Sequence, residues 1–192
     1  MTYLAHIRQD SAEQPLDVHI RNCASYASRA NVAGLKRAAY LAGLLHDMGK
    51  YTKEFQEYLI RAAAGEAVRR GSVNHTFAGV RFAMERWHTS QQPTLRNMVC
   101  EMVAVAAGAH HGLFDCIDPD GKDGFLHRLA LDDTEYRKAR DKFLLHCAGP
   151  EELDPLFDAA ETEISAALER MKTYVSDAGE LTGVQNNLLL IF

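Results

Sequence analysis

The sequence predicts an all-α domain, and three observations carry that prediction. Apolar residues repeat at intervals of three and four through most of the chain. No run of Val, Ile and Thr alternates with polar residues over the length of a strand. Gly, Pro and Asp gather between the periodic stretches, where they break helices.

The spacing predicts helices over 16–30, 34–47, 52–64, 75–89, 94–110, 133–147, 151–178 and 183–192. Leu35, Ala38, Ala42 and Leu45 carry the second. Phe77, Val80, Met84 and Trp87 carry the fourth, and Leu95, Val99, Met102, Val103 and Ala106 the fifth. The clearest face is Leu153, Phe157, Ala160, Ile164, Ala167, Leu168, Met171 and Val175, with Glu and Asp opposite. Gly65 and Gly71-Ser72 open one loop, and Ser90 to Pro93 another. Asp115 to Gly124 reads as a long turn-rich loop. A calcium loop there is disfavoured, because Lys122 stands where a third ligand belongs and no Glu follows at the right distance.

With 192 residues the chain fits one domain able to bury a core. Its 47% apolar and 24% charged residues exclude a disordered tail, a collagen-like fibre and a small disulfide scaffold. No apolar run reaches the roughly 20 residues of a membrane span. Residues 1–14 lack a basic-then-apolar signal pattern. Cys23, Cys100, Cys116 and Cys147 are scattered, with no Cys-x-x-Cys pair, as in a reducing cytosol. A cytoplasmic protein away from membranes is therefore expected.

The net charge of -5 argues weakly against a non-specific nucleic-acid coat, but it is unevenly spread. Residues 151–180 hold nine acidic and two basic side chains, while residues 1–150 hold 19 basic and 17 acidic. The acidic excess is expected on the outer, solvated face of the last long helix. Leu188 to Phe192 are five consecutive apolar residues, where a natural terminus is usually polar. The expectation is a single domain over 1–192, truncated at its C-terminus from a longer protein.

Five of the nine histidines form a series. His46-Asp47 ends the apolar helix through Leu41 to Leu45, placing an imidazole and a carboxylate about 100° apart round the axis. Gly49 is expected to turn the chain out of the helix, and Lys50 to bring a cation near the carboxylate. His19 shares a face with Cys23, Tyr26 and Ala30 and is expected to look inward, toward the core. His75 opens the helix of Phe77 and Val80. His110-His111 closes the 94–110 helix after the small-residue run Ala104 to Ala109. An inward histidine such as His19 alone reads as a hydrogen-bonded core residue, and a His-Asp pair alone as a solvated chance pair. Together, five imidazoles and one carboxylate at helix ends point to a metal, which satisfies several at once. Nitrogen with carboxylate oxygen suits a transition metal better than Ca or Mg alone. Six ligands suit two ions, with Asp47 as the bridge. His6, His88, His127 and His146 have no place in the series.

This set of residues resembles the HD superfamily of metal-dependent phosphohydrolases. His19, His46-Asp47 with Gly49-Lys50, Asn74-His75-Thr76 and His110-His111-Gly112 carry the resemblance. It is similar, more closely, to the HD nuclease domain of the type I CRISPR-associated helicase-nuclease. Tyr3 to His6, Leu44 to Phe55 with Gln56 after it, Asn74 to Val80, and His110 to Asp115 read as that family, so the resemblance covers essentially the whole chain.

The resemblance implies an HD-domain helical bundle with a central metal site. By it, His19, His46, Asp47, His75, His110 and His111 hold two divalent ions: Mn, Fe, Co or Ni, with Mg admitted. Asp47 and Lys50 are the implied catalytic residues, with Lys50 binding the substrate beside the scissile phosphate. The implied reaction hydrolyses single-stranded DNA in CRISPR interference, an antiviral defence. The implied partners are a helicase domain of the same or a partner chain and a guide-RNA surveillance complex. The superfamily also expects a late aspartate. Leu189 to Phe192 looks like the start of the phrase before it, and Asp177 is the late aspartate that could stand in.

Other readings stay open. A nucleotide or cyclic-dinucleotide phosphohydrolase of the superfamily shares the His-Asp pair. The cyclic-dinucleotide branch, however, follows its double His with Glu and a Gly-Tyr-Pro phrase, where this chain has Gly112-Leu113-Phe114-Asp115. A non-catalytic module is the third: a docking surface, or a fragment inactive through loss of the last metal-ligand aspartate. Arg61, Arg69, Arg70, Arg81, Arg86, and the basic residues from Lys122 to Lys142, read either as phosphate contacts or as solvated helix faces. Two divalent ions would add about four positive charges to the ligand-bearing part.

Overall fold

The computed structural model describes residues 2–8, 10, 12–31, 34–69, 72–73, 75–112, 116, 124–130 and 135–175. Among them lie two short strands, β1 (Leu4–Ile7) and β2 (Glu13–Pro15), and eight α-helices. The helices are α1 (Leu16–Ala30), α2 (Lys36–Leu45), α3 (Lys53–Ala63), α4 (Phe77–Trp87), α5 (Leu95–Gly108), α6 (Gly124–Ala130), α7 (Tyr136–His146) and α8 (Pro150–Val175). A 3-10 turn, Met48–Tyr51, links α2 to α3. The all-α expectation holds, since the only sheet among the described residues is this hairpin.

Three features differ from the sequence reading. The hairpin was not expected, because three- and four-residue strands are too short to display an alternation. It pairs Leu4 with Pro15, His6 with Gln14 and Ile7 with Glu13, with an irregularity between Leu4 and His6. Helix α6 begins at Gly124, where a loop was expected to end. The helix expected to run to residue 47 stops at Leu45, and the chain tightens into the 3-10 turn. The expected helix over 183–192, Asp177 and the run Leu188 to Phe192, and with them the truncation, lie outside the described residues. So does most of the Asp115 to Gly124 loop.

Helix α2 is central and packs against α1, α4, α5 and α8. Its Leu41, Leu44 and Leu45 are fully buried. Around them close Leu16, Ile20 and Ala24 of α1, Val80 and Ala83 of α4, Val99 and Val103 of α5, and Leu153, Phe157, Ala160 and Ile164 of α8. Trp87 stacks on Phe157 at 4.6 Å between ring centroids, and the Arg96 guanidinium lies 4.7 Å over the other ring partner's centroid, that of Phe157.

The acidic face of α8 is not simply solvated. Glu152 takes a two-pronged ion pair from Arg21 of α1, Asp154 from Arg86 of α4, and Asp158 and Glu161 are both bonded by Arg96 of α5. The sequence concentrates acid on α8 because three neighbouring helices present arginine to it. The pairs are partly exposed, so they orient the helix more than they stabilise it.

Gln56 fixes the hairpin to the body. Its side chain accepts from the Leu4 N–H at 2.9 Å and donates to the Leu4 carbonyl at 2.9 Å and the Lys50 carbonyl at 2.8 Å. All of this is buried. Gln56→Leu is expected to cost about 3 kcal/mol, because it strands three buried backbone groups. Urea unfolding of the two proteins checks this, and a shift under about 0.5 kcal/mol would remove the clamp from the account.

Candidate metal centre

Two helix ends aim their histidines by the same device. The last carbonyls of a helix have no partner within it. His46, just past α2, donates its Nδ1–H to the Gly43 carbonyl at 2.7 Å. His110, just past α5, donates its Nδ1–H to the Ala107 carbonyl, also at 2.7 Å. A carbonyl only accepts, so each ring commits its Nδ1–H to the helix end and turns its Nε2 toward the pocket. His75 is held more loosely, its Nδ1 lying 3.4 Å from the Val73 carbonyl.

Asp47 lies between them with its side chain 3% exposed. Its Oδ2 is 3.0 Å from His19 Nε2, 3.0 Å from His46 Nε2 and 2.9 Å from Lys50 Nζ. Its Oδ1 faces the other way, 3.6 Å from His110 Nε2 and 3.7 Å from His75 Nε2. His111 Nε2 sits 3.0 Å from His75 Nε2. The structure thus brings all seven sequence-nominated residues together around one carboxylate.

Close approach of backbones makes this possible. A Cβ on Gly49 would come within 2.3 Å of the His75 carbonyl, and one on Gly79 within 2.1 Å of the Leu45 carbonyl. Gly49 was expected as a turn residue. Its backbone is not left-handed, unlike that of Gly34, Gly65 and Gly112, and its requirement is space for His75.

Two readings of α1 and β1 are corrected. The core stripe of α1 is Leu16, Ile20 and Ala24, whereas Tyr26 is 67% exposed. His19, Cys23 and Ala27 line the pocket instead. His6, set aside in the sequence, lines the same pocket, with its ring 4.9 Å from that of His19. The irregularity in β1 lies just before it, and such irregularities redirect side chains. The four-residue interval from His19 to Cys23 was the readable signal for Cys23, and His6 gave none beyond its family phrase. His88 pairs with Glu101, and His146 packs on Tyr3, both outside the pocket.

The donor set fits a divalent metal. His19, Cys23 and His46 offer three donor atoms within 4.8 Å of one another, and so do His75, His110 and His111. Asp47 Oδ1 and His110 Nε2 are buried with no hydrogen-bond partner. With Nδ1 of His46 committed to Gly43, its Nε2 can sit 3.0 Å from a carboxylate oxygen only with a second ring proton or a cation between them.

Burial pushes the Asp47 carboxyl up. The hydrogen bonds of His19 and His46 and the charges of His46 and Lys50 outweigh it and hold the group well below the usual carboxylate range. Burial lowers His75 and His6, and pushes His110 down to about 4. Burial also raises the Cys23 thiol.

Several basic side chains are already engaged. Arg86 holds Asp154, Arg61 holds Glu66, Lys138 holds Glu135, and Arg140 holds Asp141. Arg81 donates to the Arg128 carbonyl. Arg69, Arg137 and Lys142 stand exposed, and Arg70 and Lys122 lie outside the described residues.

Imidazoles from four helix ends around one sealed carboxylate define an HD-type metal-dependent hydrolase. The family model for the Cas3 HD domain matches residues 5–184, and the chain belongs to that family. Its members are HD-type nucleases of CRISPR systems. No curated protein sequence matches the chain. No described helix is long and apolar enough to cross a membrane.

The depressed His110 has a consequence for the metal-free chain. The unfolded state takes up a proton near 6.5 that the folded state refuses until about 4, so stability is full above 6.5 and falls as pH drops through that window. The expected loss is about 3 kcal/mol from this group. Urea titrations of the metal-free protein and of His110→Leu check it: the variant should lose less stability than wild type over that window, the remainder coming from His75 and His6. Equal pH slopes would show that His110 is not held neutral.

Proposed function

We propose that this domain hydrolyses phosphodiester bonds of single-stranded DNA with two divalent ions, as the nuclease of CRISPR interference. The observation that supports it is the placement of two three-donor groups on opposite oxygens of one buried carboxylate. His19 and His46 would hold an ion on the Oδ2 side, His75, His110 and His111 one on the Oδ1 side, and Asp47 would offer an oxygen to each. Ions held there would neutralise charge on the phosphodiester, activate a water and steady the leaving oxygen. Imidazole-rich donors favour Mn, Fe, Co or Ni over Mg.

The chain's own groups supply the rest. Burial keeps His75 and His110 neutral, so they present lone pairs and act as ligands, not as bases. Lys50 balances the Asp47 charge. The Lys50 ammonium, 2.9 Å from Oδ2, would face a phosphate held at the centre and stabilise charge developing on it. A cavity of about 660 Å³ runs from His6, His19 and Lys50 between α1 and α2. Its walls are small: Ala27 and Ala30 on one side, Ala39, Ala42 and Gly43 on the other. Small walls admit a sugar-phosphate strand. A helicase domain of the same or a partner chain would deliver the strand displaced by a surveillance complex in the cytoplasm.

Asp47→Asn is expected to lose bound metal and at least about 100-fold in cleavage. Lys50→Gln should keep its metal and lose about 100-fold in kcat. Metal analysis and cleavage of labelled single strands, duplexes and a nucleotide panel, with Mn, Co, Ni and Mg, check both. Hydrolysis of nucleotides alone would replace the nuclease reading by a nucleotidase. Metal binding without any hydrolysis would make the domain a non-catalytic module.

A further inference from the structure

Cys23 lies in the metal centre without a role in the series. On α1 it follows His19 by four residues, so both side chains rise from one helix face. Its Sγ is 3.7 Å from His19 Nε2 and 3.9 Å from Nδ1. A thiol committed to one ring nitrogen would approach that nitrogen and leave the other behind. Near-equal distances place the sulfur beside the ring, within reach of either nitrogen. The other cysteines behave as core residues. Cys100 donates to the Ala83 carbonyl at 3.2 Å, and Cys116 and Cys147 are buried away from the pocket.

The donors around Cys23 complete a set. Sγ of Cys23 and the ring nitrogens of His19 and His46 lie within 4.8 Å of one another. Asp47, its side chain 3% exposed, points its Oδ2 into the same space, 3.0 Å from both His19 Nε2 and His46 Nε2. Two imidazoles, one thiolate and one carboxylate make the four donors of a tetrahedral site. The other half of the centre, His75, His110 and His111, contains no sulfur.

We propose that Cys23 binds metal as a thiolate in the His19–His46 half of the centre, which makes that half selective for a thiophilic divalent ion such as Zn, Co, Ni or ferrous iron. The proposal rests on the metal-centre reading above. Binding exchanges the S–H bond for a sulfur–metal bond, and one proton leaves to solvent. No electron moves. The two halves then differ in taste: sulfur draws soft ions to one, and nitrogen with oxygen leaves the other open to Mn or Mg.

The test uses the whole purified chain loaded with Co(II). The expected result is a near-ultraviolet sulfur-to-cobalt charge-transfer band in wild type that Cys23→Ser lacks, while the variant still holds cobalt on the histidines. Cys23→Ser should also weaken Zn(II) binding at least about tenfold and leave Mn(II) binding unchanged. Bound Zn(II) should slow alkylation of the Cys23 thiol in wild type. Absence of the band in cobalt-loaded wild type, or its persistence in Cys23→Ser, overturns the proposal. Far-ultraviolet circular dichroism identifies a misfolded variant, in which case the wild-type band and Zn(II) protection decide. A protein that shows the band but cuts no single-stranded DNA keeps the thiolate and loses the nuclease reading. One that cuts DNA without the band does the reverse.

Discussion

A carboxylate sealed from water must be matched by positive charge or give up its own, and the Asp47 carboxylate organises the molecule around that requirement. Its two oxygens look in opposite directions, each into a different group of imidazoles. Lys50 supplies a cation at one of them. At the other, an oxygen and an imidazole nitrogen face each other with no proton donor between them. Such an arrangement is costly for a protein alone and favourable around a divalent ion, which is the physical content of belonging to an HD family.

The scaffold exists to bring those groups within reach. Helix α2 is buried on nearly every side so that its last turn can deliver His46 and Asp47 to the centre. Helix α4 can begin beside that turn because residues 49 and 79 lack side chains. Gln56 ties β1 to the Lys50 segment, which places His6 over the pocket. The arginine–carboxylate pairs along α8 hold the outer helix in register while its apolar face closes the core.

Much of this was legible in the chain. Periodicity located seven of the eight described helices to within a few residues and missed α6, because only a helix long enough to bury one stripe must repeat its apolar residues at helical spacing. The clustered histidines stood out because imidazoles at helix ends beside apolar faces are hard to explain singly. Other features left no trace. A hairpin of three and four residues is too short to alternate, so β1 and His6 went unread. The charge count showed acid on α8 but not the arginines that face it, since pairing across 62 to 131 residues is decided by packing. Gly49 read as a turn because a single sequence does not distinguish a glycine that must bend from one that must make room.

The sequence by itself determined the helical class, the metal-seeking residue types and the pivotal place of Asp47, because these depend on local spacing and donor chemistry. Only the tertiary structure decided which donors share an oxygen of Asp47. It alone separated the sulfur-bearing half of the centre from the sulfur-free half, and turned His19 and Cys23 from the core toward the pocket. The reason is that a helix fixes the angle between its own side chains, whereas the meeting of two helices depends on what every other helix leaves room for.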